Sequence, residues 1–138
     1  MKTCVLDAGI VYALFDAGDR WHQQALEFVN TFAGRLVIPQ TVIPETAYLL
    51  SKYLGDEAER EFAQALVRQD FQMEALTPID MQRVAQLLNV HRSPNIGIVD
   101  ASVAAIAERL KTLDVATTDR RHFTGMQTSK GKALNLLP

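Results

Sequence analysis

The sequence predicts one α/β domain built on a mainly parallel sheet, on three observations. Short apolar runs without alternation recur at residues 3–6, 36–39 and 113–118, as strands covered on both faces require. Stretches with helical spacing separate them. Acids stand where runs stop and helices start, at Asp7, Glu45 and Asp119. The length of 138 residues is that of a single domain over 1–138, and 48% hydrophobic residues supply its core.

In order, Thr3, Cys4, Val5 and Leu6 form the first strand, broken by Ala8 and Gly9 before a short helix over 10–15. Asp19 caps a second helix bearing Trp21, Ala25, Phe28 and Phe32, ended by Gly34. Residues 36–39 are the next strand. Thr41 starts a helix with Pro44 in its first turn, where a missing N–H costs nothing. Its buried stripe is Ile43, Ala47, Leu50 and Leu54, and Gly55 ends it. Asp56 and Glu59 have capping-box spacing for a helix carrying Ala58, Phe62, Ala65 and Leu66.

Residues 71–76 alternate as an edge strand does. Thr77 and Asp80 cap a helix with Met81, Val84, Leu88 and His91, broken by Ser93, Pro94 and Asn95. The clearest helix runs over 97–111, with Val99, Val103, Ile106 and Leu110 on one face and alanines that allow close packing. The strand over 113–118 stops at Asp119, and residues 133–137 add a last edge strand. Strands alternating with helices define the fold class.

Several classes are excluded. No apolar run reaches the roughly 20 residues of a membrane span. An acid at position 7 precludes the apolar segment of a signal peptide, so a cytoplasmic protein is expected. The single cysteine, Cys4, lies inside a strand and reads as a buried thiol, which rules out a disulfide framework or a Cys-based metal site. A net charge of -2 does not advertise a nucleic-acid binder. Residues 51–80 are acidic on balance and 101–138 basic, an asymmetry that ordinarily marks solvated faces.

The chemistry lies in the acids. Strand ends and following helix starts share one edge of a parallel sheet, which brings Asp7, Glu45 and Asp119 together. Asp100 joins them if its helix starts at that edge. Crowded carboxylates repel unless a hard cation such as Mg²⁺ or Mn²⁺ neutralises them. Such ions carry phosphoryl chemistry. Spacing alone leaves a second reading open: four separate caps and solvated acids, with Asp7 simply capping the first helix.

The segments 5–14, 44–50, 98–107 and 116–123, ending in Thr-Thr-Asp-Arg-Arg-His-Phe, resemble in order and spacing the PIN-domain family, including its VapC-type toxin ribonucleases. The resemblance spans essentially the whole chain. It implies a three-layer α/β/α sandwich with a mainly parallel sheet of four or five strands. It implies an endoribonuclease dependent on Mg²⁺ or Mn²⁺, acting on RNA as the toxin of a toxin–antitoxin pair. Asp7, Glu45, Asp100 and Asp119 match the family's acidic quartet. Asp7 and Asp100 match the principal metal ligands, with Glu45 and Asp119 on a second ion or a metal-bound water. Thr118 matches a supporting hydroxyl, and Arg120 or Arg121 a phosphate contact. A homodimer and an antitoxin protein are the expected partners, with Tyr48 and Tyr53 candidates for a dimer face.

Two departures stand out. Ala8 and Gly9 replace a hydroxyl residue common after the first Asp, and no fifth acid follows Asp100 within two turns. The alternatives are a PIN nuclease of RNA processing without an antitoxin, and a non-catalytic RNA-binding or assembly module. A phosphohydrolase with an Asp nucleophile fits poorly, because position 9 is Gly. His22 reads as a helix-surface or interface residue, and Trp21, Phe28 and Phe32 as core before base-stacking. Lys130 and Lys132 read as a solvated loop.

Overall fold

A computed structural model describes residues 1–90 and 96–138. Among the described residues the elements are β1 (Lys2–Leu6), α1 (Ala8–Phe15), α2 (His22–Thr31), β2 (Gly34–Pro39), α3 (Val42–Leu54) and α4 (Asp56–Val67). They continue as β3 (Gln72–Glu74), α5 (Pro78–Val90), α6 (Ile98–Arg109), β4 (Asp114–Ala116), a 3-10 turn (Arg120–His122) and β5 (Asn135–Leu137). The strands form one all-parallel sheet in the order β3-β2-β1-β4-β5. The expected α/β class and parallel sheet are therefore observed. His91, Ser93, Pro94 and Asn95 lie outside the described residues.

The order explains the layers. The chain moves outward from β1 through β2 to β3, then returns to the other side of β1 for β4 and β5. Right-handed crossovers place helices of the outward leg on one face and those of the return leg on the other. Packing agrees: α1 lies on α2 and α3, and α3 on α4, whereas α5 packs along α6. α6 crosses β1, β2 and β4 beneath the sheet's centre. The direction of winding reverses between β1 and β4, and ligands of open α/β sheets collect at the carboxyl ends beside such a reversal.

The central elements are the most apolar. Cys4, Val5 and Leu6 in β1 are fully buried, as a strand covered on both faces must be. In α6 every residue from Ala101 to Ala107 is buried. That helix shows no polar face because α5 and the sheet enclose it, and its alanines and Ser102 allow the close approach.

Several local expectations shift. Gly34 does not end α2; it opens β2 opposite Lys2, where a Cβ would collide with the Lys2 carbonyl oxygen. Trp21 precedes α2 and Phe32 follows it, while Asp19 holds the approach by accepting from the Trp21 N–H at 2.8 Å. His22 Nδ1 donates to the Ala13 carbonyl at 2.7 Å, tying α2 to α1. The buried stripe of α3 is Val42, Thr46 and Leu50, with Leu54 41% exposed. Its packing against α1, α4 and β2 rotates the buried face by about one position. The 56–59 capping box does not form: Gly55 is the cap, and Asp56 accepts from the Ser51 hydroxyl instead. The Thr77/Asp80 box does form, with reciprocal bonds of 2.9 and 3.2 Å. β3 keeps only three residues at the sheet's edge, and Met73 there is exposed.

Candidate active site

Asp7 follows β1 at the centre of the sheet's carboxyl edge. Its backbone N–H continues the ladder to the Ala116 carbonyl at 2.9 Å. Its Oδ1 accepts from the Ala8 N–H at 2.8 Å, and its Oδ2 from the Thr117 hydroxyl at 2.9 Å. The cap and the cluster are thus not alternatives, because one oxygen caps α1 while the other faces β4. The side chain is almost wholly buried. Burial pushes its pKa up from 3.8 to about 6; the Ala8 and Thr117 bonds oppose the rise, and the charges of Asp100 and Glu45 add to it.

Glu45 projects from the first turn of α3. Burial raises its pKa, followed by repulsion from Asp100, with His122 acting against both. Asp100 sits in the first turn of α6. A hydroxyl pair fixes that helix start at the same edge: Thr41 Oγ1 and Ser102 Oγ lie 2.6 Å apart, and Ser102 also donates to the Val99 carbonyl at 2.6 Å. This contact between the starts of α3 and α6 is what spacing could not supply.

Asp119 caps the 3-10 turn after β4. Arg121 grips it with both arms of the guanidinium, Nε to Oδ1 at 3.1 Å and Nη2 to Oδ2 at 3.2 Å. That contact holds the Asp119 carboxyl below its ordinary range. His122 stands between two acids, Nδ1 at 3.3 Å from Asp100 Oδ2 and Nε2 at 3.5 Å from Asp119 Oδ2.

One cleft is lined by all four acids together with Gly9, Thr118 and His122. The basic residues divide. Arg121 reaches the cleft rim through Asp119, whereas Arg120 turns away and donates to the Pro138 carbonyl at 2.8 Å. Thr118 lines the cleft with its hydroxyl packed on Gly9, where a Cβ would collide with it.

The hydroxyl that supports Asp7 belongs to Thr117, which sequence reasoning passed over. Thr117 Oγ1 accepts from the Asp119 N–H at 3.0 Å and donates to Asp7, joining two of the acids through one buried atom. The legible signal was the Thr-x-Asp spacing of a local hydroxyl turn. His122 carries no such signal, since nothing in the chain order reveals that a 3-10 turn folds it back between Asp100 and Asp119.

Among the described residues, no three Asp, Glu, His or Cys side chains stand ready to enclose a metal ion. The donor chemistry nevertheless suits a hard cation. Carboxylates and a hydroxyl line the cleft, and two of the acids are held above their ordinary range by burial and mutual repulsion. Mg²⁺ is held by one or two carboxylates and keeps several waters, so it needs no closed protein cage.

The sequence pattern of the PIN domain matches residues 4–126. The chain belongs to the PIN domain family. As a PIN domain it is 26% identical over 134 residues to Ribonuclease VapC26 of Mycobacterium tuberculosis, a match covering 97% of this chain and 99% of that relative. Its fold is similar to that of Mycobacterium tuberculosis VapC20, described as a sarcin-ricin loop cleaving toxin. There the TM-score is 0.76 at 21% identity, over 81% of this chain and 86% of the other. It is also similar to VapBC2 from Rickettsia felis bound to a promoter DNA fragment, with a TM-score of 0.72 at 15% identity over 99% and 100% of the two chains.

Proposed function

We propose that this PIN domain is an endoribonuclease dependent on Mg²⁺ or Mn²⁺ and the toxin of a toxin–antitoxin pair. The observation that supports this best is one cleft lined by Asp7, Glu45, Asp100 and Asp119, with Asp7 buried and close enough to feel the charges of Asp100 and Glu45. The relative named as a ribonuclease, aligned along nearly the whole chain, supports the substrate class. Solved neighbours that are toxin–antitoxin assemblies support an antitoxin partner. Cytoplasmic action and a homodimer belong to the same reading. No helix among the described residues is long and apolar enough to cross a membrane.

In this reading Asp7 and Asp100 hold the principal ion, while Glu45 and Asp119 hold a second ion or orient water. A bound divalent ion supplies an activated water and neutralises the charge that develops on phosphorus. With an ion held there, Glu45 in the cleft lining would be the carboxylate placed to take the proton from the attacking water. The water oxygen bonds to phosphorus as the bond to the 3′-oxygen breaks, leaving a 5′-phosphate and a 3′-hydroxyl. Thr117 keeps the Asp7 carboxylate facing the cleft. Arg121, exposed and paired to Asp119, exchanges that partner for an RNA phosphate, which its fork fits equally well.

The test is cleavage of a panel of structured RNAs with Mn²⁺, Mg²⁺ or EDTA, beside Asp7→Asn and Asp100→Asn. Discrete cuts that vanish with EDTA and in both variants are expected. Cutting that survives in both variants would remove the quartet from the mechanism.

A further inference from the structure

Of the six basic residues in 101–138 only Arg121 pairs with an acid of the cleft, and the fold gathers three of the others at one place. Beyond the end of α6, Lys111, Lys130 and Lys132 line a second cleft with Thr128 and Ser129. All three lysines are exposed, and among the described residues none forms an ion pair. The arginines nearby are committed: Arg83 to Glu108 and Arg109 to Asp80 and Glu74.

Glu108, the acid lining this cleft, is also committed. One oxygen accepts from Arg83 at 2.8 Å and the other from the Ser129 N–H at 2.8 Å. The cleft therefore presents uncompensated positive charge.

The lysines stand on ordered backbone. Thr128 N–H donates to the Lys132 carbonyl at 2.9 Å, and the Thr128 hydroxyl accepts from the Lys130 and Lys132 N–H groups. Gly131 takes the left-handed turn position at φ 77, and the Ser129–Glu108 bond pins the turn to α6. Lys111 itself adopts φ 59, a conformation that glycine takes without cost and a side chain resists.

We propose that this cleft is a phosphate-backbone subsite for a folded RNA, an inference that rests on the ribonuclease reading. A lysine-rich cleft with no aromatic residue in its lining suits a phosphate backbone better than a protein partner, whose interfaces favour aromatic anchors and are depleted in lysine. α6 carries Asp100 in its first turn and ends at this second cleft, and a helix of its 12 residues spans about 18 Å. A stem-loop reaches both ends of α6, and a dinucleotide held at the acids does not.

The experiment measures binding of a labelled stem-loop RNA in EDTA, so that neither ion nor cleavage enters. It compares wild type, Lys130→Ala/Lys132→Ala, Lys111→Gly and the charge-matched control Lys52→Ala/Arg60→Ala. The double variant is expected to bind about tenfold more weakly at low salt, with the slope of log affinity against log salt reduced by about 1 to 2. Lys111→Gly is expected to weaken binding while melting no lower than wild type, which separates lost contact from lost fold. With Mn²⁺, the double variant should raise KM for the stem-loop and leave dinucleotide hydrolysis unchanged.

RNA affinity equal to wild type, or equal losses in the control, would overturn the proposal. So would unchanged RNA affinity with lost binding of polyglutamate, which would assign the cleft to an acidic protein segment. If wild type cleaves no RNA, the ribonuclease reading fails, while the EDTA measurement still reports on the subsite.

Discussion

The two walls of the acidic cleft are built by opposite means. On the inner wall, Asp7 and Glu45 owe their raised pKa values to burial and to the charge of Asp100, with no basic side chain among the described residues in contact with Asp7. On the outer wall, Asp119 is held low by Arg121 and flanked by His122. Thr117 joins the walls, donating to Asp7 and accepting from the Asp119 backbone. The inner wall thus has an unmet demand for positive charge, while the outer wall is partly neutralised by the chain itself. In the proposed reading a first cation would be held by Asp7 and Asp100, and Asp119 would join once Arg121 releases it.

The largest expected effect lies on the inner wall. Asp7→Asn should reduce Mn²⁺-supported RNA cleavage by at least about 100-fold, since it removes a charge that would hold the ion. The same substitution should stabilise the ion-free protein near neutral pH. A carboxyl whose native pKa of about 6 exceeds its ordinary 3.8 binds more protons folded than unfolded, so its favourable contribution is complete below pH 3.8 and lost as pH rises through about 6. Two units correspond to about 3 kcal/mol, an upper bound on the gain of Asp7→Asn over wild type in urea unfolding. That gain should disappear near pH 4. Equal stability of the two proteins at neutral pH would break the contrast between the walls.

A smaller effect is expected at the joint. Thr117→Val leaves the Asp7 oxygen and the Asp119 N–H without their shared partner and should cost about 1–3 kcal/mol in chemical denaturation. Thr117→Ser should recover most of it, and Thr118→Val should cost less than Thr117→Val. A larger loss at position 118 would restore that residue as the supporting hydroxyl.

Gly9→Ser should destabilise by about 1–3 kcal/mol, because its Cβ meets the Thr118 hydroxyl; adding Thr118→Ala should recover part of that loss. The smallest effect belongs to the outer wall. Arg121→Ala should leave the melting temperature nearly unchanged, because the pair is exposed, yet raise KM for RNA several-fold. An unchanged KM would deny Arg121 the phosphate.

Much of this was legible in the chain. β1 and α6 were visible because their burial leaves a strong apolar signature, and Asp7, Glu45 and Asp119 were visible because strand ends and helix starts share an edge. The buried face of α3 was not, since hydrophobic spacing cannot register that α1, α4 and β2 all press on one helix. The convergence of Asp100 depended on the Thr41–Ser102 contact, which joins residues 61 positions apart. Thr117 and Thr118 are chemically identical in sequence, and only strand geometry decides which one meets Asp7. Arg120 and Arg121 likewise differ only in the direction the 3-10 turn gives them.

Calorimetric titration of Mn²⁺ into wild type and Asp7→Asn near neutral pH, without RNA, tests the central claim most directly. The account predicts saturable binding by wild type and its loss in Asp7→Asn, although the variant is the more stable fold. Absence of binding by wild type, or equal binding by both proteins, would contradict the assignment of the inner wall as the cation site.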